Sequence, residues 1–150
     1  MYFFQARALY PYMKPKYLNP PSANGVHARQ VLYPFDESAD SVYITEGPFD
    51  AITLQRLGFN ATCTVGSSIS NTQMDILKDF EGDIILAYDN DRAGKVGVIR
   101  YDSARRVHRM PSFKVVTPPD PYKDWNEALV KGKDLANWIF HNTKDYSYEL

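Results

Sequence analysis

The sequence predicts an α/β fold: a mainly parallel sheet of about four strands with helices on both faces, plus a small partial N-terminal subdomain. Three features predict it: regular strand–helix alternation after residue 41, a strongly apolar run near its centre, and Gly or Pro at the junctions.

Residues 1–40 are rich in Pro, Tyr and Asn and read as strands and loops. A strand is expected from Tyr2 to Leu9, then a proline-punctuated loop, then a second strand from Arg29 to Phe35. The polar break Asp36-Glu37-Ser38-Ala39-Asp40 marks the boundary with a main unit over 41–132, which a tail over 133–150 follows. In the main unit Val42-Tyr43-Ile44-Thr45 is a buried-strand candidate, and a helix from Phe49 to Leu57 stops at Gly58. Ala61 to Val65 is the next strand, and Gly66-Ser67-Ser68 turns the chain toward a helix at Thr72–Phe80. Asp83-Ile84-Ile85-Leu86-Ala87-Tyr88 is the most apolar run of the chain and its third strand. A helix from Ala93 to about Val107 carries Val96, Ile99, Ala104 and Val107 near one face. Ser112 to Val116 supplies the fourth strand, closed by Pro118-Pro119. In the tail, Trp138, Ile139 and Phe140 suit a short helix docked on the sheet or a contact with a partner.

Composition narrows the function classes. At 150 residues the chain fits one compact domain, and its 44% hydrophobic content is that of an ordinary soluble protein. No apolar run approaches the roughly 18 residues that span a bilayer, and Met1 to Phe4 does not resemble a signal peptide, so a cytoplasmic location is expected. The single cysteine, Cys63, excludes an internal disulfide and a Cys-rich zinc site, and reads as a small core residue. A net charge of −1 argues against gripping DNA by bulk electrostatics alone. It is compatible with an acidic metal site beside a basic face.

In a parallel α/β sheet ligands bind at the carboxyl ends of the strands, and the acidic residues fall there. The first main strand ends in Glu46-Gly47-Pro48-Phe49-Asp50, and the third in Asp89-Asn90-Asp91-Arg92-Ala93-Gly94. Lys123-Asp124-Trp125-Asn126-Glu127 follows the fourth. Carboxylates converging on one edge repel unless a cation joins them, and hard oxygen ligands suit Mg²⁺ or Mn²⁺. Alternate spacing lets Asp89 and Asp91 turn toward one ion, with Glu46 beside them as general base or further ligand. Gly47 and Gly94 permit close backbone approach, and Asp50 falls in the first turn of a helix.

These residues resemble the Toprim signature of primases, topoisomerases and certain nucleases, in the version of DnaG-type bacterial primases and phage primase-helicases. Glu46, Gly47 and Asp50 match its Glu-Gly-x-x-Asp motif; Asp89, Asp91, Ala93 and Gly94 match Asp-x-Asp-x-Ala-Gly. Lys123, Asp124 and Asn126 match the third, where bacterial primases mostly carry Asp in the last position and some phage enzymes Asn. Lys16-Tyr17-Leu18-Asn19-Pro20 resembles the Lys-Tyr-Leu-Asn-Ser-Pro element of the primase polymerase core, with Val31-Leu32-Tyr33 as its continuation and Phe4-Gln5-Ala6-Arg7 as the strand before it. One departure is Ala28, where the family usually places Lys directly after the His that matches His27. The sequence also contains no cysteine zinc-binding domain and no Walker A helicase loop.

The resemblance implies metal-dependent nucleotidyl transfer that makes short RNA primers on single-stranded DNA from nucleoside triphosphates. Asp89, Asp91 and Asp124 would hold Mg²⁺ or Mn²⁺, with Asn126 and Asp50 as further candidates. Glu46 would act beside Asp89 and Asp91 as base or second-metal ligand. Lys16, Tyr17, Asn19, Arg29, Arg92 and Lys123 are candidates for nucleotide or template contact. A replicative helicase or a zinc-binding module in trans is the implied partner. Two alternatives stand beside this reading: a Toprim nuclease that activates water with the same acids, and a non-enzymatic accessory module. Tyr10 and Tyr12 read as packing residues, Arg100, Arg105, Arg106 and Arg109 as a solvated helix face, and His27, His108 and His141 as structural or surface groups.

Overall fold

The computed structural model describes residues 5–19, 27–66 and 68–147. Its centre is a five-stranded sheet built from β3 (Ser41–Thr45), β4 (Ala61–Cys63), β5 (Asp83–Leu86), β6 (Lys114–Val115) and β7 (Lys144–Asp145). The spatial order is β4-β3-β5-β6-β7. The first four strands run parallel, with Ile44 opposite Leu86 and Thr45 opposite Cys63 in the β3 pairings, whereas β7 returns antiparallel along β6. A separate antiparallel ribbon pairs β1 (Ala6–Arg7) with β2 (Tyr17–Leu18).

Side chains of a strand alternate between faces, so each strand feeds two cores. Val42, Ile44, Ile84, Leu86 and Tyr88 face α2 (Asn71–Lys78) and α3 (Arg92–Val107), where Met74, Leu77 and Tyr101 meet them. Tyr43, Ile85 and Ala87 face the opposite way, toward α1 (Pro48–Arg56), α4 (Trp125–Val130) and α5 (Leu135–Asn142). The helices begin where their sequences say they should. Pro48 opens α1, Ser70 and Gln73 form a reciprocal capping box on α2, and Asp91, Asp124 and Asp134 cap α3, α4 and α5 through their side chains.

The structure corrects several expectations. Arg29–Phe35 is not a strand: Ala28–Gln30 forms one turn of 3-10 helix, and residues 31–35 run extended without a ladder. Side chains satisfy that segment instead, since Thr62 Oγ1 donates to Tyr33 O at 2.6 Å and the buried Gln73 amide donates to Val31 O at 2.8 Å. Of the expected strand Tyr2–Leu9, Ala6–Arg7 pairs, while Tyr2 to Phe4 lie outside the described residues. The expected strand Ser112–Val116 contracts to Lys114–Val115.

The apolar stripe of α3 points outward, with Val96, Ile99 and Val107 exposed, and the buried face is Gly94, Gly97, Tyr101 and Asp102. The first turn of the helix lies too close to the end of β5 for a larger residue at position 94. A Cβ on Gly94 would come 2.1 Å from Asp89 O. Two of the arginines expected on a solvated face, Arg105 and Arg106, clamp the buried Asp102 at 2.8 and 2.9 Å. In the tail, α5 docks through Leu135 and Ile139, and Phe140 stays exposed.

Candidate metal and nucleic-acid site

The carboxyl edge of the sheet is organised by main-chain bonds that bring three loops together. Gly66 N donates to Glu46 O at 3.0 Å, drawing the end of β4 to the end of β3. Asn90 N donates to Lys123 O, and Asn90 Nδ2 to Asp120 Oδ1, each at 2.8 Å, so the loop after β6 is stitched to the end of β5. The fully buried Trp125 donates its indole N–H to Ala87 O at 2.8 Å and fixes the start of α4 against β5. Asp50 Oδ1 then accepts the backbone N–H groups of Trp125 and Asn126 at 3.0 and 3.2 Å, tying α1 to α4.

The cleft above this edge has a volume of about 290 Å³. Glu46, Asp50, Asp89, Lys123, Asp124 and Asn126 line it together with Gln5, Arg7, Lys16 and Tyr17, while Asp91 lies outside the lining. Among the expected nucleotide and template residues, Lys16, Tyr17 and Lys123 therefore share the cleft lining with the acids. Asn19 instead pairs with Gln5 at 2.9 Å, Arg29 offers its carbonyl to Ser70, and Arg92 is exposed at the start of α3, all three outside the cleft lining.

Arg7 is the residue the sequence reading passed over. Its guanidinium stands 4.2 Å from the Phe49 ring centroid and 5.8 Å from that of Tyr17, which also receives Lys16 Nζ at 5.5 Å. No local pattern signals it, because its place comes from the ribbon register, which sets Arg7 directly opposite Tyr17. Tyr10 and Tyr12 stack on one another at 5.4 Å.

Electrostatically the edge is strained. Burial pushes the Asp89 carboxyl up to about 7, with the Glu46 and Asp50 carboxylates pushing the same way and Lys123 opposing them. Burial also raises Glu46 and Asp50, opposed by backbone N–H groups of Asp89 for the first and of Asn126 for the second. Asp91 is held below the usual carboxylate range, chiefly because Gly94 N–H donates to it at 2.9 Å. Lys123 Nζ reaches Asp91 Oδ2 at 3.3 Å and Asp89 Oδ2 at 3.8 Å, and its own pKa is raised by them, Asp91 first. Cys63 lies beneath, fully buried, with its thiol pushed up to about 11 by burial.

Among the described residues no three His, Cys, Asp or Glu side chains stand together as a ready ion cage. Asp91 and Asp124 spend Oδ1 on the caps of α3 and α4, and the Lys123 ammonium supplies positive charge between Asp89 and Asp91. The donor set nonetheless fits a hard cation. It is all oxygen, burial and like-charged neighbours raise the Glu46 and Asp89 carboxyls above their ordinary values, and Glu46 Oε1 is buried with no hydrogen-bond partner among the described residues.

Fold and edge together define a parallel α/β domain, covered on both faces, with an acidic centre at the strand ends. The chain belongs to the Toprim-like family, whose profile matches residues 43–129. It is 31% identical over 145 residues to a DNA primase of Thermotoga maritima, an alignment covering 91% of this chain and 25% of that protein. The Aquifex aeolicus primase, solved with its zinc-binding and RNA polymerase domains, superposes with a TM-score of 0.80 at 20% identity, over 96% of this chain and 37% of that one. A DnaG primase catalytic domain bound to single-stranded DNA gives 0.77 at 22% identity, over 95% of this chain and 48% of that one. The chain thus spans a quarter of the length of the primase relative and under half of these solved structures. Among the described residues no helix is long and apolar enough to cross a membrane.

Proposed function

We propose that this chain carries the metal-binding half of a primase active centre, which joins ribonucleotides into short RNA primers on single-stranded DNA. The observation that carries the reading is one cleft lined by carboxylates together with Arg7, Lys16 and Tyr17. A triphosphate with its cation needs both kinds of group, and a template backbone needs the basic ones.

In this reading residues 41–132 are the catalytic domain, 1–40 the N-terminal subdomain that supplies Arg7 and Lys16, and 133–150 a C-terminal appendage. Asp89, Asp91 and Asp124 hold Mg²⁺ or Mn²⁺, assisted by Asn126 and Asp50. A cation held there would supply positive charge for the triphosphate and lower the pKa of the attacking hydroxyl. Glu46 takes the proton from the 3′-hydroxyl as its oxygen bonds to the α-phosphorus, and pyrophosphate leaves. Arg7 and Lys16 bind phosphates, Tyr17 stacks a base, and Lys123, now beside Asp89 and Asp91, is within the cleft to contact the triphosphate. Asn19, Arg29 and Arg92, outside the cleft lining, extend the track for template. A zinc-binding or helicase module in trans would supply what the chain's share of its relatives omits, and the cytoplasm of a bacterial or phage-infected cell is the matching location.

The test is incorporation of labelled ribonucleotides on single-stranded DNA with Mg²⁺ or Mn²⁺, with Asp89→Ala as control. Metal-dependent oligoribonucleotides that vanish in the variant support the proposal. A template degraded by the wild type and spared by the variant would replace it with a nuclease.

A further inference from the structure

Among the described residues, two buried side-chain polar atoms lack a hydrogen-bond partner: Glu46 Oε1 and Tyr88 Oη. Proteins rarely leave such groups unpaired, and here one is an acceptor and the other a donor. The sheet register makes them neighbours. Ile44 lies opposite Leu86, the last ladder pair, and the same register continued two residues past it brings Glu46 beside Tyr88, whose pKa the Glu46 carboxylate raises. On the other flank Thr45 lies opposite Cys63, which sets Thr64 beside Glu46 in the same cross-strand row. Thr64 already donates its hydroxyl to Gly66 O, so it offers no donor to Glu46. Tyr88 is 1% exposed and cannot turn to solvent. Its phenol pKa is raised, by burial first and by Tyr101 and the Glu46 carboxylate as well, and the nearby Thr64 side chain, the one competing partner among the described residues, opposes the shift without meeting hydrogen-bond geometry.

From this row we infer that Tyr88 is a positioning residue for Glu46. The two atoms are not hydrogen-bonded in this structure; a rotation of the Glu46 side chain would let the Tyr88 hydroxyl donate to its buried oxygen and leave the other oxygen at the Asp89–Asp91 edge. The inference rests on the assignment of Glu46 to the reacting centre, yet the contact itself is independent of it. One hydrogen bond fixes the side-chain torsions of a flexible glutamate, which a base or metal ligand requires. The phenol needs no contact with substrate, because it acts through Glu46.

The test is a double-mutant cycle with Tyr88→Phe, which removes only the hydroxyl, and Glu46→Met, which keeps length without an acceptor. Tyr101→Phe is the control, a second buried phenol whose ring packs on Phe113 at 4.9 Å. Denaturant midpoints are measured with EDTA and with Mg²⁺. The expected result is non-additivity in at least one condition, with Tyr88→Phe harmless once Glu46 is gone. Additive midpoints in both conditions overturn the contact.

In the incorporation assay Tyr88→Phe is expected to lower kcat about tenfold with KM for nucleotide unchanged, the scale of supporting-shell losses. An unchanged kcat, or an equal loss in Tyr101→Phe, overturns the positioning role. A wild type that makes no product defeats the proposed function alone, and the cycle still decides whether Tyr88 and Glu46 are paired.

Discussion

At the amino end of β5, Asp83 meets Lys114 at 2.6 Å, and their side chains are 59% and 39% exposed. At the carboxyl end, Asp89 is only 17% exposed, with Glu46, Asp50 and Asp124 as like-charged neighbours and Lys123 3.8 Å away. One end of the strand pairs its charge with a single partner in water. The other gathers more carboxylates than cations and removes them from water, which opposes folding unless something positive arrives. Such a concentration of opposed charges at one edge of an otherwise well-satisfied sheet is how a binding centre differs from a surface.

The largest break in this comparison is Asp89→Asn. Incorporation is expected to fall roughly a thousandfold, as when one preorganised electrostatic contact is removed from a reacting centre. Stability should move the opposite way. The Asp89 pKa is raised from 3.8 to about 7, so the folded state holds its proton more tightly than the unfolded one. Stability from that proton is fully present below about pH 4 and is lost progressively up to about pH 7. Without metal, the Tm advantage of Asp89→Asn should therefore widen across this window and level off above it. At the plateau it should reach about 3 °C or more, which in a chain of this size corresponds to ~1 kcal/mol. Mg²⁺ should raise the wild-type Tm and leave the variant nearly unmoved. A gap independent of pH would mean that the carboxyl edge is no more strained than the amino edge.

Gly94→Ala tests the geometry behind that strain. Its Cβ would meet Asp89 O at 2.1 Å, so either α3 or the end of β5 must move. A loss of about 1–3 kcal/mol is expected in denaturant titrations, the usual cost of overpacking. Activity should fall as well, because the displaced residue is Asp89. Wild-type stability in Gly94→Ala would mean that α3 yields easily and that Asp89 is loosely held.

The same contrast explains how much was readable beforehand. Continuous apolar runs disclosed β3, β4 and β5, because strands buried on both faces need them. Arg29–Phe35 looked equally strand-like, with its apolar residues divided between the two cores. Its carbonyls are instead met by Thr62 and Gln73, long-range partners that no local pattern records. The outward stripe of α3 misled for a related reason: close approach to the Asp89 backbone selects Gly94, and a buried face of Gly94, Gly97, Tyr101 and Asp102 carries little hydrophobic signal. β7 is two residues, Lys144–Asp145, whose pairing with β6 depends on where α5 ends. At the site, spacing foretold the acids and the loops that carry them. It did not foretell that Asp91 and Asp124 also cap helices, nor that Arg7 reaches the cleft, since both follow from three-dimensional register.

The smallest expected effect lies at the other end of β5. Lys114→Met removes the partner of Asp83, and with it the hydrogen bond that most raises the Lys114 pKa. Both groups are open to water, which screens the pair and rehydrates the aspartate left behind. The thermal midpoint should therefore shift far less than in Asp89→Asn, and the shift should disappear in molar salt. The same exchange at the carboxyl edge, Lys123→Met, leaves Asp89 and Asp91 without their cation. It should lower metal-free stability measurably at pH 8 and less at pH 5, where Asp89 carries its proton. Mg²⁺ should restore much of the loss at Lys123 and none at Lys114. Equal responses at the two lysines would remove the distinction between the edges, and with it the electrostatic case for a cation at Asp89.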